Sequence, residues 1–339
     1  MIKLILFAAL MLMVATVLNG QTGESADPSP GVPRELARWR ATHYSKVDYR
    51  MSVKLARGAQ MLQGLMDIRV TLDKGADSII LDWRTSPVKE GQPRPRVWDI
   101  VLNNKPASAA REVNEHLVIP GAVKGENFIQ LKFESTLATS GSAVTRYLDR
   151  EDNSEYIYTL FVPSDASTAF PCFDQPDLKA RFTLDLNIPQ DWNAVSNTDA
   201  PYYGNPLPNA AETDVVPPGT RTAHFQPTEP ISTYLFAFAA GPFVKIDEFA
   251  VETAQASAYP NKAAAPSKPV ADDLGPMRLY VRRSKEKQAY REAAEVFRLN
   301  RACVNYLAKY FDYKYPFPKY DLVIIPEFAY RGMEHAGAT

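Results

Sequence analysis

A mainly β unit, built as an antiparallel sandwich or saddle of sheets and followed by the start of an α/β unit, is the fold class this sequence predicts. Three observations predict it. Short runs of alternating apolar and polar residues, separated by Gly, Pro, Asn and Asp turns, recur through the first 250 positions. Composition then drops to Ala, Pro, Ser, Lys and Asp over residues 250–275. Beyond that stretch the period changes to that of a long amphipathic helix between two short strands.

Taken in order, the chain opens with Lys3, an apolar run from Leu4 to Leu18, and the small and polar residues Asn19, Gly20, Gln21 and Thr22. This is the pattern of a secretory signal peptide over residues 1–22. The run is shorter than the ~20 apolar residues that span a bilayer. The expectation is therefore an exported, periplasmic or secreted protein with no membrane contact after the signal is removed; a retained anchor is the alternative. A first domain is expected over residues 34–249, with strands at 49–55, 62–72, 78–81, 127–133, 155–162 and 181–188. The last is the clearest, with Phe182, Leu184, Leu186 and Ile188 alternating against Arg181, Thr183, Asp185 and Asn187. Five prolines between Pro201 and Thr220 exclude an element interior there. Residues 234–242 read as one continuous apolar strand, buried on both faces. Residues 250–275 read as a linker, and 276–339 as the beginning of a second, incomplete domain. In it, residues 277–281 form a strand and Ser284 is the expected N-cap of a helix to Phe311. Ala289, Ala293, Val296, Phe297, Val304, Leu307 and Phe311 make its apolar stripe, and a buried strand follows over 321–326.

Apolar residues are 45% of the 339, enough for a core, and 38 basic residues nearly cancel 39 acidic ones. That balance gives no electrostatic reason to expect nucleic acid or an anionic membrane as partner. Cys172 and Cys303 are expected as two buried free thiols, a pair too few for a disulfide framework. There is no Gly-rich phosphate loop before a helix, no G-x-S-x-G elbow and no Cys/His pair in context. The basic run over 278–287 reads as a solvated face.

Two stretches stand out. Phe170, Pro171, Cys172, Phe173, Asp174, Gln175 and Pro176 read as a rigid corner with an Asx-type turn at Asp174. Near the end, Gly332, Met333, Glu334, His335, Ala336 and Gly337 follow a short strand. Taken alone, Glu334 is a solvated loop carboxylate. The ordered set changes that reading. The Phe170–Pro176 stretch, the approach from Tyr158 to Ala166, the run from Thr233 to Phe243, and Tyr315 to Asp321 followed by Gly332 to Gly337 together resemble the aminopeptidase N-like family of zinc metallopeptidases, over roughly residues 40–339. Gln175 stands where a Glu is common.

The resemblance implies an N-terminal β-saddle packed on a thermolysin-like catalytic domain, truncated here. It implies peptide substrates with a free N-terminus. It also implies substrate-binding roles for Gly332, Met333, Glu334 and His335: Gly332 and Met333 as strand contacts, Glu334 as anchor for the substrate ammonium, and His335 in place of the common Asn. His335 is either a substrate contact or a plain loop histidine. A charge-assisted bond from an ammonium to a fixed carboxylate is stronger than a neutral one. The family's H-E-x-x-H zinc motif is not in the sequence, whose four histidines are His43, His116, His224 and His335. No catalytic residue, no metal ligand and no cofactor is therefore expected in this chain, while a full-length relative would hold one zinc. The partner would be the missing catalytic half of the same protein. Val162 stands where many members offer a Gln or Glu to the amine. An inactive portion of an exported aminopeptidase is thus the leading expectation. A non-catalytic exported β-rich interaction module, or a degenerate homologue, is the alternative. On the first view, apolar surface should be exposed on residues 277–339.

Overall fold

The computed structural model describes residues 28–85, 93–139, 141–204, 218–251, 274–328 and 330–339. The expected signal segment, residues 1–22, and most of the expected linker lie outside them. An eight-stranded sheet dominates, in the spatial order Tyr202–Gly204, Thr220–His224, Ala180–Pro189, Tyr44–Lys54, Met61–Leu72, Gly125–Thr136, Arg96–Leu102 and Lys105–Pro106. A four-stranded sheet (Asn193–Ser196, Phe238–Gly241, Glu155–Thr159, Val144–Leu148) and two three-stranded sheets complete it. One of these (Ser78–Asp82, His116–Pro120, Arg111–Val113) joins the first region. The other (Val244–Asp247, Arg278–Val281, Asp321–Val323) carries the chain into the helix region.

The strand Ala180–Pro189 buries Phe182, Leu184, Leu186 and Ile188 as its alternation demands. It pairs in parallel with Tyr44–Lys54, not antiparallel, because more than a hundred residues lie between them and permit the crossover. Stacked rings fill the core beside this pair: Tyr49 on its register partner Phe182 at 4.9 Å between centroids, and Phe182 on Phe236, just before the strand Phe238–Gly241, at 4.6 Å.

Helix α1 (Arg34–His43), which apolar periodicity does not reveal, is tied to this core by a buried charge. Arg40 is fully buried and donates to both oxygens of Asp82 at 2.8 and 2.7 Å, and to the Ile80 carbonyl at 2.9 Å. Burial alone would raise the Asp82 pKa, but Arg40 and the Asp174 backbone N–H hold it below the usual carboxylate range. The corner at 170–176 is rigid by a different means from the expected Asx turn. Asp174 accepts from the Ser167 N–H at 2.9 Å, while its own N–H donates to Asp82 at 2.8 Å. Gln175 reaches back to the Ala37 carbonyl at 2.9 Å and so braces α1.

Several other expectations are corrected. The run 234–242 is not one strand: Thr233–Leu235 is a 3-10 turn, and the strand begins only at Phe238. Tyr202–Gly204, inside the proline-rich stretch, is a short edge strand. Helix α2 spans Glu286–Tyr310 after a 3-10 turn at Arg283–Lys285, and Ser284 does not cap it. Its hydroxyl instead donates to Asp149 at 2.6 Å, the residue that Arg282 also meets at 2.8 Å. Of the α2 stripe, Ala289, Ala293 and Phe297 are buried, whereas Leu307 and Phe311 are exposed. The last strand is shorter than expected, Asp321–Val323. Cys172 is buried and Cys303 is exposed, both as free thiols, because Cys303 lies off the covered side of α2. Exposed apolar side chains do gather on residues 277–339, including Tyr290, Leu299, Tyr306, Tyr310, Tyr313 and Ile324. No helix among the described residues is long and apolar enough to cross a membrane.

Candidate functional site

The segment from Gly332 to His335 is held by what lies on either side of it. Upstream, Asp321–Val323 pairs in parallel with Arg278–Val281, and the hydroxyl of Tyr158 donates to the Pro326 carbonyl at 2.6 Å. Downstream, the Asp321 N–H donates to the Gly337 carbonyl at 3.1 Å and the Val323 N–H to Thr339 at 2.9 Å. Asn197 spans the junction. Its side-chain amide donates to Leu235 and Ala336 carbonyls at 2.8 and 2.9 Å, and its oxygen accepts from the Ala237 N–H at 2.8 Å. Gly337 has φ +73°, and a Cβ there would overlap the Asn197 carbonyl oxygen, so glycine is required on both grounds. The Gly337 N–H is taken by the Tyr315 hydroxyl at 3.1 Å.

Between these anchors the backbone is free. Among the described residues, no hydrogen bond is made by the main chain of Gly332, Met333 or Glu334, and the stretch belongs to no strand or helix. It borders a groove of about 190 Å³. Gly332, Met333 and His335 line it, with Phe238, Val323, Ile325 and Phe328 supplying much of the apolar wall. Side chains alternate along the segment: Met333 and His335 are buried, while Glu334 between them is exposed and is not a lining residue. The Glu334 carboxylate accepts a long hydrogen bond, 3.4 Å, from the hydroxyl of Tyr234, which belongs to the β region. Val162 is partly buried and is not among the residues lining the groove.

His335 is 7% exposed, and its Nε2 is buried without a hydrogen-bond partner. Burial lowers its pKa to about 4, against a smaller upward pull from Glu334, so the ring is neutral near pH 7. The other histidines are dispersed. His43 stacks on Trp39, His116 lies 3.3 Å from Asp82, and His224 meets Asp185 at 2.8 Å. Among the described residues, no three His, Cys, Asp or Glu side chains come together as a metal-ligating set. The zinc implied by the resemblance therefore does not fit the side chains of the described residues.

Two groups that position the segment were not foreseen. Tyr158 sits on the strand Glu155–Thr159 and Asn197 in the bend just after Asn193–Ser196, and nothing local marks either as a partner of residues more than a hundred positions away. Tyr158 and Tyr234 both belong to runs that carried the family resemblance, whereas Asn197 does not.

The profile of the Peptidase M1 N-terminal domain matches residues 43–235, more than half of the chain. The chain belongs to the M1 peptidase family. The profile of the Peptidase family M1 domain matches residues 296–339 of this M1 chain. Aminopeptidase N of Streptomyces lividans is 27% identical over 316 residues, which is 92% of this chain and 32% of that protein. Glutamyl aminopeptidase of Homo sapiens is 28% identical over 230 residues, 67% of this chain and 20% of that protein. Aminopeptidase N of Homo sapiens is 26% identical over 291 residues, covering 83% and 27%. The M1 chain thus spans about a third or less of these relatives, and its strand-rich architecture is that of an M1 N-terminal region running into the start of the peptidase domain.

Proposed function

We propose that this chain is the substrate-gripping portion of an exported M1 aminopeptidase, in which Gly332, Met333 and Glu334 receive the amino end of an extended peptide. The observation that carries the reading is the unpaired main chain of residues 332–334 beside an apolar groove. An extended peptide laid along such a segment would gain main-chain hydrogen bonds as an added strand. Glu334, exposed and negatively charged, would then meet the peptide's ammonium, with the Tyr234 hydroxyl steadying the carboxylate. His335 is a wall of the groove; its buried Nε2 makes it a neutral contact and not a second charge.

In the same reading, residues 1–22 direct export, 34–249 form the β-saddle, 250–275 the linker and 276–339 the first part of the catalytic domain. The chain alone hydrolyses no peptide, because the described side chains assemble no metal set. The second reading is a non-catalytic β-rich binding module. Calorimetric titration with a short apolar peptide amide, against its N-acetylated form, tests the grip. The free amine should bind and the acetylated peptide should bind at least about tenfold more weakly. Equal affinity for the two, or binding unaffected by Glu334→Gln, would remove Glu334 from its role. Hydrolysis of the peptide above a blank, with or without added zinc, would overturn the claim of inactivity. Peptide binding that ignores the amine, together with no turnover, is the outcome that selects the binding module.

A further inference from the structure

Away from the groove, a second cavity of about 170 Å³ opens where three sheets meet. Arg221 enters it from the eight-stranded sheet, Asn193 from the four-stranded sheet, and Lys245 and Arg278 from the three-stranded sheet that leads into α2. With Lys319, four cationic side chains line the space against two carboxylates, Asp199 and Asp321. Those two acids are already matched. Arg278 donates to Asp321 at 2.7 Å and to Asp199 at 2.5 Å, and Lys319 donates to Asp321 at 2.6 Å.

Arg221 has no carboxylate partner, although its guanidinium lies over the Tyr203 ring, 4.5 Å from the centroid. Its Nη2 donates to the Trp192 carbonyl at 2.5 Å and to Asn193 Oδ1 at 3.1 Å, both uncharged. Its Nε is buried with no hydrogen bond, and Nη1 makes none among the described residues. The Lys245 ion pair, with Asp247 at 3.0 Å, is close to half-exposed and so holds the ammonium weakly. The Tyr280 hydroxyl also lines the cavity and makes no hydrogen bond among the described residues. Burial raises its pKa, so it remains a proton donor.

We propose that this cavity is a binding site for a small tetrahedral oxyanion of the phosphate class. The lining carries two positive charges in excess, and its free donors come from different sheets instead of one flat fork. Oxygens on all sides of the ligand match that arrangement better than a planar carboxylate does. Charge-assisted bonds are roughly twice as strong as neutral ones, and a partly enclosed site screens them less than bulk water. A space of about 170 Å³ has room for one such ion. An occupant would also bear on the candidate substrate segment, because Asp321, in the cavity wall, pairs through its main chain with Gly337 and Thr339. Glu334 takes no part, so this proposal and the amine reading can fail separately.

Calorimetric titration of the 339-residue chain with inorganic phosphate at constant ionic strength tests it, with sulfate, acetate and chloride run in parallel. Saturable one-site binding of phosphate and sulfate is expected, with chloride and acetate inert. Arg221→Gln should weaken phosphate by about tenfold or more, and Tyr280→Phe, which keeps the ring and its packing, severalfold. If Arg221→Gln does not fold, Tyr280→Phe still decides. No saturable heat below roughly ten millimolar phosphate, an equal response to chloride or acetate, or affinity unchanged in the folded variants would each overturn the proposal.

Discussion

In the sheet region, Tyr49, Phe182 and Phe236 are covered from every side, whereas the 25-residue helix α2 buries only Ala289, Ala293 and Phe297. The first region closes its core because sheets lie against one another, each inward face meeting a second inward face. The helix meets a sheet on one side only. Its far end leaves Tyr306, Leu307, Tyr310 and Phe311 in solvent. The lesson is that stability in this chain is unevenly distributed, and the candidate site lies on the seam. Residues 332–337 belong to the sparsely packed region but are fixed by Tyr158 and Asn197 of the densely packed one.

The comparison breaks most easily at the buried charge of the first region. Asp82→Ala would leave the fully buried Arg40 unpaired and orphan the Asp174 N–H, for a loss of about 3–5 kcal/mol in urea unfolding. A loss below about 1 kcal/mol would show that this core is not the stable one.

At the seam, the measurement is pH dependence. His335 has a folded pKa of about 4, below its ordinary value, so its contribution is fully present above about 6.5 and is lost as pH falls towards 4. The loss is on the order of 3 kcal/mol. Asp174, raised to about 6 chiefly by burial, acts in the opposite direction over an overlapping window: its contribution is present below the unfolded value and lost as pH rises through 6. The informative quantity is therefore the difference between the native chain and His335→Asn across pH 4–7. A difference that does not change with pH would place the His335 ring in water.

A smaller effect is expected from Gly337→Ala, about 1–3 kcal/mol from the left-handed backbone and the clash with Asn197. Thermal unfolding of that variant should show the penalty in the transition of residues 277–339; no shift would mean the seam is loose. Smallest of all, Leu307→Ala on the exposed face of α2 should change stability by no more than about 0.5 kcal/mol. A larger loss would reveal that this face is covered in solution.

Much of the architecture was legible beforehand, for a local reason. Alternation in residues 181–188 and the period of Ala289, Ala293 and Phe297 follow from chain geometry, which repeats every two residues in a strand and every 3.6 in a helix. What misled was equally local. Ser284 has the chemistry of a helix cap, but Asp149, over a hundred positions away, offers its hydroxyl a charged acceptor. The run 234–242 is apolar enough for a strand, yet its first turn coils because Thr233 donates to the Phe173 carbonyl, 2.8 Å away.

The order of strands and helix, the burial of alternate side chains and the Gly332–Gly337 motif were written in the chain itself, since each depends on residues close in sequence. Only the folded molecule decided that Tyr158 and Asn197 would hold that motif, that Glu334 would stand exposed while Met333 and His335 line the groove, and that Arg221 would lack an acid in a cavity shared by three sheets. Those outcomes depend on residues brought together from separate elements, some more than a hundred positions apart, and no local pattern encodes such a meeting.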